Sequence, residues 1–330
     1  MCGAIASIKL VGRMEILFVA LAVSASEVAA NDDTILGRLQ TVDASVLSTL
    51  TLTFERESPA HSMLPDQGTT TMECTMTTSK TAWALECQTT KQTPVIYRAP
   101  GTPGFQEIDY VDGNLIIWRL DAFKTLADGS INETYYEHVG TIVAPSGLIV
   151  KQGKTAMRSV YNLSDPQNRH EMYRCLWAAG LGFSENLKGE VEQETSKKGV
   201  IPVRATGSYG ASLHGTWELN VDSDNGHLVR SASFTSERSD KPSIILKTSG
   251  TKNFDNVQIA QEGRFEYPML PHKDETILRF HRFTPNSDEN FLTRIREDLK
   301  KARANDEVEL MDYRDPTGPI RTRNAPIDQR

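Results

Sequence analysis

Apolar and polar residues alternate most clearly in the stretch from Thr216 to Asp222. Trp217, Leu219 and Val221 are apolar, and the residue between each successive pair is polar. A period of two is typical of a strand with one buried face and one solvent-exposed face. The pattern therefore predicts a strand that turns the side chains of these three residues toward a core.

Asn225-Gly226 follows this strand and leads into a second alternating run. Asparagine-glycine pairs tolerate positive φ and close tight β-hairpins. If these two residues form the loop, Trp217 lies opposite Phe234 and Leu219 lies opposite Ala232. The sequence thus predicts a long hairpin with one large apolar face.

A second predicted hairpin contains two cysteines. A tight turn at Lys80-Thr81 would pair Ser79 with Ala82, and counting outward sets Cys74 opposite Cys87. We therefore predict a cross-strand disulfide between these two residues, since strand-opposed cysteines bridge when their geometry allows it. The alternative is a longer turn, in which the two thiols would miss each other. Cys175 is then unpaired and is predicted to be buried in a helix.

A third hairpin is predicted over Phe105–Leu120, with Asp112-Gly113 as its loop. This loop sets Tyr110 against Leu115 and Ile108 against Ile117. From residue 189 onward, the spacing of strands and turns predicts a continuous antiparallel meander. The strand runs in this part are Glu190–Thr195, Val200–Gly207, Gly215–Asp222, His227–Glu237, Ser243–Gly250 and Val257–Phe265.

Helical signals are fewer. Asp33 can cap a short helix that carries Ile35, Leu36 and Leu39 and breaks at Val42–Ala44. Asp165-Pro166 predicts the start of a helix that reaches about Phe183, with proline at the first helical position.

Leu292, Ile295 and Leu299 form the apolar stripe of a charged helix over Phe291–Ala304. Ala144–Lys154, which holds Pro145 and two glycines, is predicted to be a loop.

The first thirty residues have the features of an export signal. Lys9 and Arg13 are basic, Ile16–Ala25 is an apolar run of about ten residues, and Val28-Ala29-Ala30 supplies small residues before Asn31. The alternative is an N-terminal membrane anchor, although the run is shorter than a bilayer span requires. Export would place the cysteines where disulfides persist. We therefore predict a periplasmic or secreted protein.

The 330-residue chain carries a net charge of −7, and 38% of its residues are hydrophobic. A core can therefore form, while this charge gives no general attraction to nucleic acid or to anionic lipid. The seven histidines form no metal-binding motif, and the chain contains no nucleophile elbow and no Walker loop. The sequence thus predicts no catalytic residue, metal site or cofactor.

What remains is a large sheet with an apolar face and a few amphipathic helices. In one interpretation the helices cover the sheet and this face is an ordinary filled core. In the other, sheet and helices enclose a hollow for an apolar ligand.

A resemblance supports the second interpretation. The early helix that leads into Leu50–Glu57, the meander, and the Trp217–Asp222 strand followed by Asn225–Val229 together resemble periplasmic lipoprotein carriers of the LolA type and their outer-membrane lipoprotein-sorting relatives. The match is best over residues 190–267.

The resemblance implies an α+β fold in which a large, curved, unclosed antiparallel sheet, a half-barrel, is covered by a few helices. It also implies a hollow that takes acyl chains. The residues that would line this hollow are Trp217, Leu219, Val221 and Phe234, with Ile108, Tyr110, Leu115 and Ile117 on a neighbouring hairpin.

Three segments are predicted: a signal peptide (1–30), a sheet domain (31–270) with a helical insertion near 165–183, and a C-terminal helix with a loosely ordered tail (271–330). The first functional hypothesis is an exported, soluble, non-enzymatic carrier or binder of lipid or lipoprotein acyl chains, with an envelope protein as a further partner and no membrane span after signal cleavage. The alternatives are a structural or protein-binding envelope module with a filled core, and an envelope hydrolase with an unrecognised site.

Overall fold

The computed structural model describes most of the chain between Thr34 and Arg323. The described residues are 34–47, 49–59, 68–92, 95–98, 114–125, 131–143, 148–193, 198–210, 212–254, 257–270, 275–285, 290–304, 308–314, 317 and 320–323. The predicted signal peptide, Asp112-Gly113, Ile108 and Tyr110 lie outside these residues.

The described part of the chain contains three α-helices and a larger number of strands. The helices are α1 (Ile35–Leu47), α2 (Pro166–Ala178) and α3 (Asn290–Arg303), and a short 3-10 turn covers Ser184–Asn186. The strands are β1 (Leu50–Pro59), β2 (Thr69–Thr78), β3 (Ala82–Gln92), β4 (Val95–Arg98), β5 (Asn114–Thr125), β6 (Ile131–Val143), β7 (Leu148–Asn162), β8 (Leu187–Gln193), β9 (Val200–Tyr209), β10 (Leu213–Asp222), β11 (Leu228–Ser236), β12 (Ile244–Ser249), β13 (Lys252–Phe254), β14 (Val257–Ile259), β15 (Glu262–Glu266), β16 (Glu275–Pro285), β17 (Glu309–Asp312) and β18 (Ile320–Arg323).

One large sheet dominates the fold. It has 16 strands, and its order is β18-β17-β5-β6-β7-β3-β2-β1-β16-β15-β12-β11-β10-β9-β8, with β4 beside β7. Its neighbouring strands are antiparallel except β17, which runs parallel to β5. Among the described strands, the two at the ends of this order do not pair with each other. The predicted fold class, a large unclosed antiparallel sheet with a few helices, is confirmed.

The long hairpin has the predicted register. Trp217 pairs with Phe234 and Leu219 pairs with Ala232. A bulge between Asn220 and Val221 then shifts the pairing, so the loop is longer than Asn225-Gly226 alone. The carboxylate of Asp222 holds this loop, because it accepts a hydrogen bond from each of the backbone N–H groups of residues 224 and 225, at 3.1 Å.

The cysteine hairpin is also confirmed. Ser79 donates its backbone N–H to the carbonyl oxygen of Ala82 at 2.8 Å, which closes the tight turn between β2 and β3. Cys74 and Cys87 are paired across the two strands with their Cα atoms 4.2 Å apart, and they form a disulfide. Cys175 is free and buried on α2, as predicted.

The helices lie on both faces of the sheet. On β3, Trp83 and Leu85 belong to the main core with α1 and α2, whereas Ala82 and Ala84 belong to a second cluster with the apolar stripe of α3. Because successive side chains on a strand point to opposite faces, α3 covers the face opposite to α2. We call the face covered by α1 and α2 the inner face.

The sheet continues beyond residue 270, which differs from the predicted domain boundary. β16 lies between β1 and β15, near the middle of the sheet order, and β17 and β18 form one end of that order. β16 takes this position because it pairs with β1 on one side and β15 on the other. More than 200 residues of sequence separate β16 from β1. A local pattern carries no information on that pairing.

Two local predictions are wrong. α1 continues through Val42–Ala44, where the sequence predicts a break, because its buried residues Leu39 and Asp43 stay on one helical face. β7 begins at Leu148, inside the predicted loop, because both β4 and β6 pair with it there. No helix in the described residues is long and apolar enough to cross a membrane.

Candidate functional site

Helix α2 covers the inner face of the sheet and begins where its sequence predicts, but it ends at Ala178, before the predicted end near Phe183. Pro166 is its first residue. The carboxylate of Asp165, just before it, accepts a hydrogen bond from Nδ2 of Asn132 at 2.8 Å. After Ala178 the chain leaves the helix through Gly180, whose φ of +83° is the left-handed conformation that glycine adopts at helix ends.

Four of the predicted lining residues are buried beneath α2. Trp217, Leu219, Val221 and Phe234 expose 2% of their surface or less. The ring centroid of Trp217 lies 5.2 Å from that of Trp177 on α2 and 5.1 Å from that of Phe234. Aromatic side chains therefore fill the space around this hairpin. That these four residues line a hollow stays a prediction.

The other predicted lining residues are not adjacent to this hairpin in the sheet. Leu115 and Ile117 lie on β5, and β6, β7, β3, β2, β1, β16, β15 and β12 separate β5 from β11. The sequence predicts that the hairpin carrying Leu115 and Ile117 neighbours the Trp217 hairpin, but the sheet order places the two far apart. The side chains of β5 lie outside the described part of the structure, as do Ile108 and Tyr110.

A charged group lies where α2 crosses β1 and the end of β15. Arg56 Nη1 lies 3.1 Å from Glu171 Oε1, and Arg174 Nη1 lies 2.8 Å from Glu171 Oε2. Arg174 also donates a hydrogen bond to the hydroxyl of Tyr267. Its guanidinium carbon lies 5.5 Å from the ring centroids of both Tyr267 and Phe265.

This group lines a recess between α2 and the sheet. The side chain of Glu171 keeps 33% of its surface accessible. The side chain of Arg174 keeps 19%. Solvent therefore reaches this part of the space between α2 and the sheet, which we call the recess.

The charges in the recess stabilise one another. Burial acts to raise the pKa of Glu171, but the guanidinium groups of Arg174 and Arg56 outweigh it and hold that pKa below its usual value. The pair of arginines leaves the group with a net positive charge. Among the described residues, the buried Nε atom of Arg174 has no hydrogen-bond partner.

Apolar side chains adjoin these charges. On β1, Leu50, Leu52 and Phe54 are buried on the inner face, and Arg56 continues the same row. Met72 pairs with Arg56 across β1 and β2, and it packs against the core while remaining partly accessible.

Met157, Tyr209 and Tyr267 are partly accessible in the same way. The disulfide lies on the same face, because Phe54 pairs with Cys74. The recess is therefore amphipathic.

Nucleophilic and metal chemistry have little support in this region. Burial raises the pKa of the Cys175 thiol to about 12, so the reactive thiolate is scarce at neutral pH. Burial lowers the pKa of His170 to about 4. Within the described residues, no group of three or more His, Cys, Asp or Glu side chains is close enough together to hold a metal ion.

Sequence reasoning missed the charged group. A signal for Arg56 existed: it is the charged residue that ends an otherwise apolar row on β1. Glu171 and Arg174 also had a signal, since they are spaced three residues apart on a helix and so share a side of it. The contact between Arg56 and Glu171 joins residues 115 positions apart, and no local pattern encodes it.

Comparison with known proteins finds no family model that matches the chain and no match among curated proteins. Among solved structures, the chain is similar to a domain described as an outer membrane lipoprotein-sorting protein from Vibrio parahaemolyticus, at 9% identity, with a TM-score of 0.40 and coverage of 80% of this chain and 97% of that one.

It is also similar to a LolA superfamily protein from Nitrosomonas europaea (11% identity, TM-score 0.39, 78% and 96% coverage). A third match is a DUF1329 family protein from Desulfovibrio piger (11% identity, TM-score 0.38, 78% and 94% coverage). The first two names are those of the family that the hairpin pattern resembles. Identities and TM-scores this low assign neither a family nor a function.

Proposed function

We propose that the chain is an exported, non-enzymatic carrier or binder of lipid, or of the acyl chains of lipoproteins, in the cell envelope. The observation that carries this proposal is the amphipathic recess beneath α2. Its apolar part would take hydrocarbon, and its charged part would take the polar end of the same ligand. The hairpin pattern that resembles lipoprotein carriers supports the same function.

Hydrophobic burial would drive binding. Each CH₂ group taken out of water contributes about 0.8 kcal/mol, so a chain of several methylene groups gains appreciable affinity. Met72 and Met157 suit this purpose, because unbranched methionine side chains adapt to irregular apolar ligands. Entry of a chain would require α2 to move away from the sheet.

The charged group would fix the polar end of the ligand. The unpartnered Nε of Arg174 is a donor, and the net positive charge of Arg56, Glu171 and Arg174 favours a carboxylate or an ester oxygen. Such an oxygen would satisfy a buried donor that has no partner among the described residues.

Native mass spectrometry with lipid extraction tests this proposal. Protein purified from its own cells from Asn31 onward should carry lipid at close to one molecule per chain, and the extract would identify the class of lipid. Protein that is free of lipid and that also fails to take up a fluorescent fatty acid would contradict the proposal.

A second candidate is a structural or protein-binding module of the cell envelope. It is favoured by the aromatic packing of Trp177 against Trp217, which fills the inner face at the long hairpin. Met269 and Leu270 support it as well, because 56% and 47% of their surfaces are exposed on one loop. A lipid-free protein that co-purifies with an envelope protein only when Met269 and Leu270 are intact would favour this candidate.

A further inference from the structure

A polar cleft lies at the N-terminal half of α2, on the side away from the charged recess. It has a volume of about 210 Å³ and lies between α2, the 3-10 turn Ser184–Asn186 and the edges of β8, β9 and β10. His170 lines the cleft, and its ring lies 4.4 Å from that of Tyr209. Tyr209 in turn packs on Phe234, so aromatic rings lie behind His170.

Two cations from different elements converge on this cleft. Arg169 comes from α2 and Lys188 from β8. Neither forms an ion pair with any residue that the structure describes. Arg169 is close enough to the Tyr173 hydroxyl to act on the pKa of that group. Two unpaired cations in one concave site attract an anion and give it charge-assisted hydrogen bonds.

The uncharged residues of the cleft and its one acidic residue, Glu185, indicate which kind of anion would bind there. Ser208 also lines the cleft. Glu185 accepts a hydrogen bond from the Tyr173 hydroxyl through Oε2, and no bond from a described residue reaches its Oε1. Burial, followed by the Glu185 carboxylate, raises the pKa of Tyr173, so its hydroxyl stays protonated and keeps donating.

Oε1 of Glu185 would repel an anion that carries no proton. It can, however, accept a hydrogen bond from a P–O–H group. A phosphate monoester has its second pKa near 6, so it offers such a proton in its monoanionic form, whereas sulfate and phosphate diesters do not. The combination of two cations, a hydroxyl and one open carboxylate oxygen therefore fits a phosphate monoester.

We propose that this cleft is a binding site for a phosphate monoester group. Arg169 and Lys188 bind its anionic oxygens, Ser208 donates one hydrogen bond, and Glu185 accepts the remaining P–O–H. The groups that bind the phosphate differ from those of the acyl-chain recess, and the proposal does not depend on that recess. The same group occurs on soluble phosphate esters and on the headgroup of phosphatidic acid.

Isothermal titration calorimetry on the mature protein tests this site. Inorganic phosphate and glycerol 3-phosphate represent the soluble source, and phosphatidic acid vesicles represent the lipid source. Sulfate and phosphatidylglycerol vesicles are controls that lack the P–O–H group. We expect saturable binding of at least one phosphate monoester, at least tenfold tighter than binding of the matching control. Equal binding of monoester and control, or no saturable binding of any monoester probe, would overturn the proposal.

Three variants locate the binding. Arg169→Gln/Lys188→Gln should weaken monoester binding at least tenfold, and Lys188→Gln alone, at an exposed position, should weaken it in a protein that keeps its melting temperature. Glu185→Gln should reduce the preference for the monoester over sulfate.

Lys241→Gln, which removes an exposed lysine outside the cleft, should change nothing. Binding that is the same in Lys188→Gln and in the wild-type protein would overturn the assignment. The assignment would also be overturned if Lys241→Gln weakened monoester binding as strongly as Lys188→Gln does.

Discussion

At the scale of single residues, Asp43 connects two distant parts of the chain. It is buried on α1, and its carboxylate accepts the backbone N–H of Gly182 at 2.8 Å and that of Ser184 at 3.0 Å. These bonds connect α1 to the segment that follows α2. Each buried donor that loses its acceptor costs about 1–3 kcal/mol, so this one side chain ties α1 firmly to that segment.

Asp43 also gives the protein a pH-dependent stability. Burial raises its pKa above the usual value of 3.8, against the hydrogen bonds from Ser184 and Gly182, which lower it. A group whose pKa is higher in the folded state stabilises the fold fully below its unfolded pKa, and that stability is lost as the pH rises through the folded pKa.

The variant Asp43→Asn cannot titrate and removes this dependence. The unfolding free energy of the wild-type protein minus that of the variant should therefore fall as the pH rises from about 3 toward 7. Guanidinium denaturation of both proteins across this range measures the difference. A difference that stays constant or grows with pH would show that burial does not raise the pKa of Asp43.

At the scale of elements, local patterns predict the hairpins well. Alternation and turn residues are sufficient to pair Trp217 with Phe234 and Cys74 with Cys87, because hairpin partners are close in sequence. The same logic identifies α2 from Asp165-Pro166. Patterns fail where a distant partner decides the structure, as at Leu148, where β7 begins because β4 and β6 pair with it.

The disulfide should stabilise the hairpin of β2 and β3, because it reduces the conformational entropy of the unfolded chain. Cys74 and Cys87 are separated by 13 residues, and closing a loop of this length stabilises a fold by about 3 kcal/mol in the chain-entropy model. Cys74→Ala/Cys87→Ala should therefore lower the unfolding free energy by about that amount. The control Cys175→Ala keeps the bridge, and equal losses in the two variants would contradict this account.

α2 approaches the sheet closely enough to require a glycine on β15. A Cβ atom at Gly263 would lie 2.6 Å from the Cβ of Ala178. Gly263→Ala should therefore push α2 outward and cost about 1–3 kcal/mol. The buried thiol of Cys175 on α2 reports this movement, and it should react faster with a thiol reagent in the variant. An unchanged labelling rate would mean that α2 does not depend on this contact.

At the scale of the whole molecule, the sheet order and the recess follow from long-range pairing. The apolar rows of β1 and β2 could be predicted, but β16 beside β1 and Arg56 beside Glu171 could not, because more than 100 residues separate the partners in each case. Around Trp217, the rings of Trp177 and Phe234 pack closely. The accessible part of the inner face lies instead near Met72 and Arg56.

This position of the recess gives the central claim a direct test. Met72 and Thr71 are neighbours on β2, and their side chains point to opposite faces of the sheet. Tryptophan at Met72 would fill the recess, whereas tryptophan at Thr71 would lie on the other face. Both variants place the same large side chain on the same strand.

The decisive measurement is a titration of a fluorescent fatty acid into the wild-type protein, Met72→Trp and Thr71→Trp. The account predicts that Met72→Trp weakens binding at least about tenfold, which corresponds to about 1.4 kcal/mol, while Thr71→Trp binds like the wild type. Equal affinities for all three proteins, or no binding to any of them, would contradict the claim that acyl chains bind between α2 and the inner face of the sheet.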